Sequence, residues 1–128
     1  MTIAALNYAS SLNRLQRFDE AKSLMRKTIP VARRVLGGDN GITLRVKFTY
    51  ALALYNDTGA TLDDLSEAVA TLEETERTAR RVLGGAHPIV QASERSLEHA
   101  RAALRAREGD VDALRGGVEA LRVKNDSS

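Results

Sequence analysis

The chain has two histidines, His87 and His99, and no cysteine. The missing thiols exclude disulfides, thiolate nucleophiles and cysteine-based metal sites. His87 stands in Gly84-Gly85-Ala86-His87-Pro88, where its neighbours predict a turn. His99 has Arg95 and Ala103 at the helical i±4 positions, and Glu94, Glu98 and Glu108 form no recognisable ligand set with it. Asp63 and Asp64 are adjacent, which suits acids in the first turn of a helix better than a catalytic pair. Gly37-Gly38 and Gly84-Gly85 follow no strand, so a phosphate-cradling loop lacks its context. No nucleophile-elbow, kinase or zincin pattern is present. These absences predict a protein that is not an enzyme and carries no metal or cofactor. Recognition is left, for which Asn, Tyr and Arg side chains can supply hydrogen bonds and carboxylate pairing.

What positions those side chains is signalled by a duplication. Ala-Arg-Arg-Val-Leu-Gly-Gly occurs at residues 32–38 and again at 79–85, 47 residues on. Phe18-Asp19-Glu20-Ala21 and Leu65-Ser66-Glu67-Ala68 keep that offset, whereas Asn7-Tyr8-Ala9 and Thr49-Tyr50-Ala51 lie 42 apart. The five-residue difference places an insertion between two paired helices, around Thr58 to Leu62. The underlying period of about 42 is one of helical repeats.

The apolar spacing predicts the helices. Ile3, Leu6, Ala9, Leu12 and Leu15 stripe a first helix. A second runs from Asp19-Glu20 to Leu36, with Gly37 expected in the left-handed conformation that stops a helix. Pro30 inside it predicts a kink near Arg26 to Pro30. A third spans about Ile42 to Asn56 and a fourth Leu62 to Leu83, the latter opened by a capping box of Thr61 and Asp64. A fifth is expected from Ile89 to Arg107, a break at Gly109, and a last helix from Val111 to Val123.

Leu6-Asn7-Tyr8-Ala9, Gln16-Arg17-Phe18-Asp19-Glu20-Ala21 and Val35-Leu36-Gly37-Gly38-Asp39-Asn40 together resemble the tetratricopeptide repeats of the kinesin light chain type. Tyr50-Ala51, Glu67-Ala68 and Val82-Leu83-Gly84-Gly85-Ala86-His87-Pro88 carry the resemblance through a second unit, to roughly residue 100. Gln16 stands where such repeats have a glycine, and Asn40-Gly41 where they have His-Pro. The resemblance implies an all-α fold of antiparallel helix pairs stacked in a right-handed superhelix. It divides residues 1–123 into repeat 1 (about 3–38), repeat 2 (about 42–85) and a third repeat or C-terminal cap (about 88–123), followed by a polar tail, 124–128. It also implies a concave peptide groove. Leu6, Ser10, Asn13 and Arg14 would line it from the first unit, Arg45, Phe48, Leu52, Tyr55 and Asn56 from the second, and Gln91, Arg95 and His99 from the third. Phe48 and Leu52 could equally be core.

Charge and hydropathy narrow the partners. No apolar run approaches the roughly 20 residues of a membrane-spanning helix, so no membrane partner is expected. The start lacks the pattern of a signal peptide, which with the absent cysteines fits a cytoplasmic protein, and the helical pattern beginning almost at Met1 is expected of a segment of a longer chain. Residues 1–41 carry a net charge of +4, against −2 for residues 42–87 and 0 for the rest. Lys22, Arg26, Lys27, Arg33 and Arg34 supply that basic third without an aromatic stacking platform, which argues against nucleic acid. The expected partner is a protein: an extended, partly acidic peptide in the groove. The rival is a spacer or self-assembly segment that forms homo-oligomers through its repeat ends.

Overall fold

The computed structural model describes residues 2–126; Met1 and residues 127–128 of the expected tail lie outside them. Five helices follow one another: α1 (Thr2–Arg14), α2 (Phe18–Leu36), α3 (Gly41–Asn56), α4 (Leu62–Leu83) and α5 (Pro88–Asp126). There is no strand among the described residues.

Local chemistry sets the boundaries. Asn40 opens α3, its side-chain oxygen accepting from the Ile42 N–H at 2.9 Å. Thr61 and Asp64 form the expected reciprocal capping box on α4, at 3.1 and 3.2 Å. Gly37 and Gly84 end α2 and α4, each donating its N–H to the carbonyl four residues back. Their φ values, +91° and +87°, are positive as expected, but ψ near 153° makes them extended mirror-image conformers rather than left-handed helical ones. Helix α2 runs unbroken through Pro30.

The expected break at Gly109 is absent. Residues 88–126 form a single helix through Gly109, Gly116 and Gly117. Gly costs a helix about 1 kcal/mol relative to Ala but keeps its N–H and carbonyl in the ladder, and none of these three has positive φ. Asp110 is consequently a helix-interior residue, and no sixth helix starts there.

The main core gathers Leu6, Ala9, Met25, Val46, Tyr50, Leu54, Ala68, Leu72 and Leu97 from all five helices. Met25, Leu54 and Leu72 are fully buried, each worth about 1.5–3 kcal/mol over exposure. Ala9, Ala21, Ala51 and Ala68 have no exposed surface, which lets the paired helices approach closely. Packing is sequential, and α3 additionally touches both α1 and α5. In contrast α2 and α4 have no Cα pair within 8 Å. The helices α1, α3 and α5 therefore converge on one side, the inner one, while α2 and α4 splay on the other.

Candidate peptide groove

Along α3 the inner side presents Arg45, Phe48, Leu52 and Asn56, at spacings of three and four residues that align them on one helix face. Two clefts of about 590 Å³ each open onto this stripe.

The first cleft lies between α1 and α3 and brings together Ser10, Asn13, Arg14, Leu52 and Asn56, five of the residues expected to form a groove. Its walls are already organised. The Ser10 hydroxyl donates to the Leu6 carbonyl at 2.9 Å. The Asn13 amide donates across to the Thr49 carbonyl on α3 at 3.2 Å, which fixes the two helices side by side. Its own Oδ1 is buried and has no hydrogen-bond partner among the described residues. Arg14 is exposed and rests on Ser11 at 3.2 Å.

The second cleft lies between the starts of α3 and α5. Ile42, Phe48, Leu83, Ile89 and Ala92 make it mainly apolar, and Arg45 is its one cationic wall. His87 also reaches this cleft while its Nδ1 accepts the Ile89 N–H at 3.2 Å, so the expected turn role is compatible with a surface one. Phe48 and Leu52, which the sequence left between core and groove, are half-buried, with Phe48 packed on the core and open to the cleft.

Leu6 has to be corrected. It is 8% exposed and belongs to the core, because it lies beside Ala9 on the stripe that α1 turns toward its neighbours. Tyr55 is half-buried and lines neither cleft; burial pushes its phenol pKa up, and a hydrogen bond with Ser96 acts the other way. Gln91, Arg95 and His99 are exposed on α5 and line neither cleft. Sequence reasoning missed Asn7, Ser11 and Thr49 in the first cleft, though Asn7 and Ser11 are helical neighbours of Ser10 and Arg14. It also missed Leu83 and Ala92 in the second, which only the packing of α4 against α5 reveals.

On the outer side, side chains bridge the gap between α2 and α4. Arg26 donates to the Tyr50 hydroxyl at 2.9 Å, and that hydroxyl donates to Glu67 at 2.7 Å. The Arg26 guanidinium also lies 5.7 Å from the Tyr50 ring centroid. Lys22 pairs with Asp19 at 3.3 Å and approaches Asp64 at 3.8 Å. Two members of the basic N-terminal group are thus occupied within the fold. Among the described residues no three His, Asp or Glu side chains group as a metal site, and no helix is long and apolar enough to cross a membrane.

Comparison with known families then bears on the first helix pair. Residues 3–40 match the tetratricopeptide repeat family. The match spans α1, α2 and the turn into α3, which is the first unit of the duplication. Helices α3 and α4 repeat that unit's pairing and its glycine stop, so the chain has the architecture of a tetratricopeptide-like helical repeat protein. No curated protein and no solved structure matches it.

Proposed function

We propose that the α1–α3–α5 face is a protein-interaction surface that holds an extended, partly acidic peptide. The observation carrying this reading is the α3 stripe, which joins a polar cleft to an apolar one along a single direction. In the polar cleft, Asn13 and Asn56 suit a peptide backbone, and Asn13 Oδ1 is an acceptor without a partner among the described residues. In the apolar cleft, Phe48 and Ile42 suit an anchoring side chain, while Arg45 suits a carboxylate beside it. Arg14 adds a cation to the polar cleft, and Arg95 is an exposed cation on α5. Tetratricopeptide repeats generally mediate protein–protein interactions, and the residue pattern supports a repeat of the kinesin light chain type. Neither statement specifies a cargo.

Titration of a panel of about ten-residue peptides, each roughly 33 Å when extended, tests the reading. The panel pairs acidic sequences carrying one apolar residue with their Gln/Asn counterparts. The acidic members are expected to bind more tightly, and Arg45→Glu with Arg95→Glu is expected to weaken them about tenfold or more, the scale of reversing a charge contact. Equal binding of acidic and neutral peptides, or no effect of the double variant, rules out the acidic ligand.

A further inference from the structure

The second half of α5 is the feature the groove does not absorb. Arg107 donates to the Ala60 and Thr58 carbonyls at 2.6 and 3.5 Å, tying α5 to the loop that precedes α4. Beyond that tie α5 continues through residues 108–126, an overhang of roughly 28 Å at 1.5 Å per residue. Leu114, Val118 and Leu121 on it are 72%, 64% and 64% exposed, and Val111 is half-buried. Their spacing of three, four and three residues is the a/d pattern of a coiled coil, on a helix face with no partner among the described residues.

The charges beside the stripe indicate what covers it. Glu108, Asp110 and Asp112 give the start of the overhang a net negative charge, whereas Arg115, Arg122 and Lys124 outweigh Glu119 and Asp126 in the rest. Glu108, Asp110, Arg115 and Arg122 have no ion-pair partner among the described residues. A helix with an acidic beginning and a basic end is complementary to an antiparallel copy of itself. We infer that the chain forms a homodimer in which the α5 overhangs of two copies pack antiparallel through Val111, Leu114, Val118 and Leu121.

The register follows from the stripe. Val111 of one copy faces Leu121 of the other, and Leu114 faces Val118. The flanking positions then set Asp110 against Lys124 and Glu108 against Arg122, each twice by symmetry, and Arg115 against its own copy beside the axis, the one like-charge contact. A parallel pair would instead align the acidic ends with each other and the basic ends with each other. It would retain one favourable flanking contact, Asp110 with Arg115. The antiparallel arrangement also opposes the two helix dipoles. Gly117 falls beside the symmetry axis, where the absence of a side chain lets the two backbones approach. With four apolar residues from each copy the interface is small, so a concentration-dependent dimer is expected rather than a permanent one.

Sedimentation velocity of the full chain, from about 1 to 200 μM, tests this in the range where small interfaces associate. The mass is expected to rise from one chain toward two. Val118→Glu alters an exposed residue, so it is expected to stay folded by circular dichroism and remain monomeric. Asp110→Lys and Lys124→Asp are each expected to weaken dimerisation about tenfold by reversing two flanking pairs, and the double variant to recover it. A monomer throughout, or a dimer unaffected by Val118→Glu, overturns the proposal. Failure of the double variant to recover overturns the antiparallel register, because in a parallel pair Asp110→Lys would set a second cation against Arg115.

Discussion

The Tyr50 hydroxyl donates to Glu67 at 2.7 Å while accepting from Arg26 at 2.9 Å, so one phenol on α3 joins the second helices of two successive repeat units. Those helices have no closer backbone contact, and Arg26 and Glu67 stand 4.0 Å apart. The pairing bridges with side chains a gap that the two backbones leave on the outer face.

Tyr50→Phe removes both hydrogen bonds and leaves the ring in place. A loss of about 1 kcal/mol is expected, the usual net value for such bonds when the charged partners remain hydrated. A urea titration would register it as a lower midpoint with an unchanged slope. Burial, followed by the hydrogen bond to Glu67, pushes the Tyr50 pKa above its ordinary 10.0. The folded state therefore holds this proton more tightly than the unfolded chain. The associated stability is present below pH 10 and is lost as pH rises through the raised value. Tyr50→Phe is expected to flatten that alkaline decline. The part due to Tyr55, whose phenol is also pushed up by burial, would remain.

Most of this fold could be read from the sequence because its signals are local. The duplicated heptapeptide, the Thr61–Asp64 box and the alanines at residues 9, 21, 51 and 68 each act within a turn or across one helix pair. The continuity of α5 was not legible: Gly109 looks like a stop in sequence, yet a glycine ends a helix only when it adopts positive φ, as Gly37 and Gly84 do. Leu6 was misplaced because residues at the edge of an amphipathic stripe differ by one small rotation between core and groove. The Tyr50 bridge was invisible because its three members lie on three helices. Nothing in the spacing of Arg26, Tyr50 and Glu67 announces that they meet.

Backbone conformation predicts opposite effects at two turns. At Gly37 an added Cβ would meet nothing within 4 Å, yet φ is +91° with extended ψ. Gly37→Ala is expected to cost about 1–3 kcal/mol through strain alone. Gly38→Ala, equally open and without positive φ, is the control and should stay within about 0.5 kcal/mol. Gln16 is the converse case, a non-glycine held at φ 60° in the turn between α1 and α2. Gln16→Gly should raise stability by about 0.5–1 kcal/mol, with chemical denaturation as the measure.

Gly109 and Gly116 lie within α5 with open space around their Cα atoms. Replacing both with Ala should add helical signal at 222 nm and stabilise the overhang by about 1 kcal/mol per site. A fall in helicity would mean that Gly109 ends a helix after all.

Whether the α1–α3–α5 face receives a peptide is tested most directly by amide chemical-shift mapping. An acidic peptide of about ten residues, chosen from the panel by affinity, is titrated into the labelled chain; extended, it would span roughly 33 Å. Shifts are expected to concentrate at Ser10, Asn13, Arg45, Phe48, Leu52 and Asn56, with α2 and the outer face of α4 unchanged. Shifts confined to Lys27, Arg33 and Arg34 on α2, with the α3 stripe silent, would contradict a groove on the inner face.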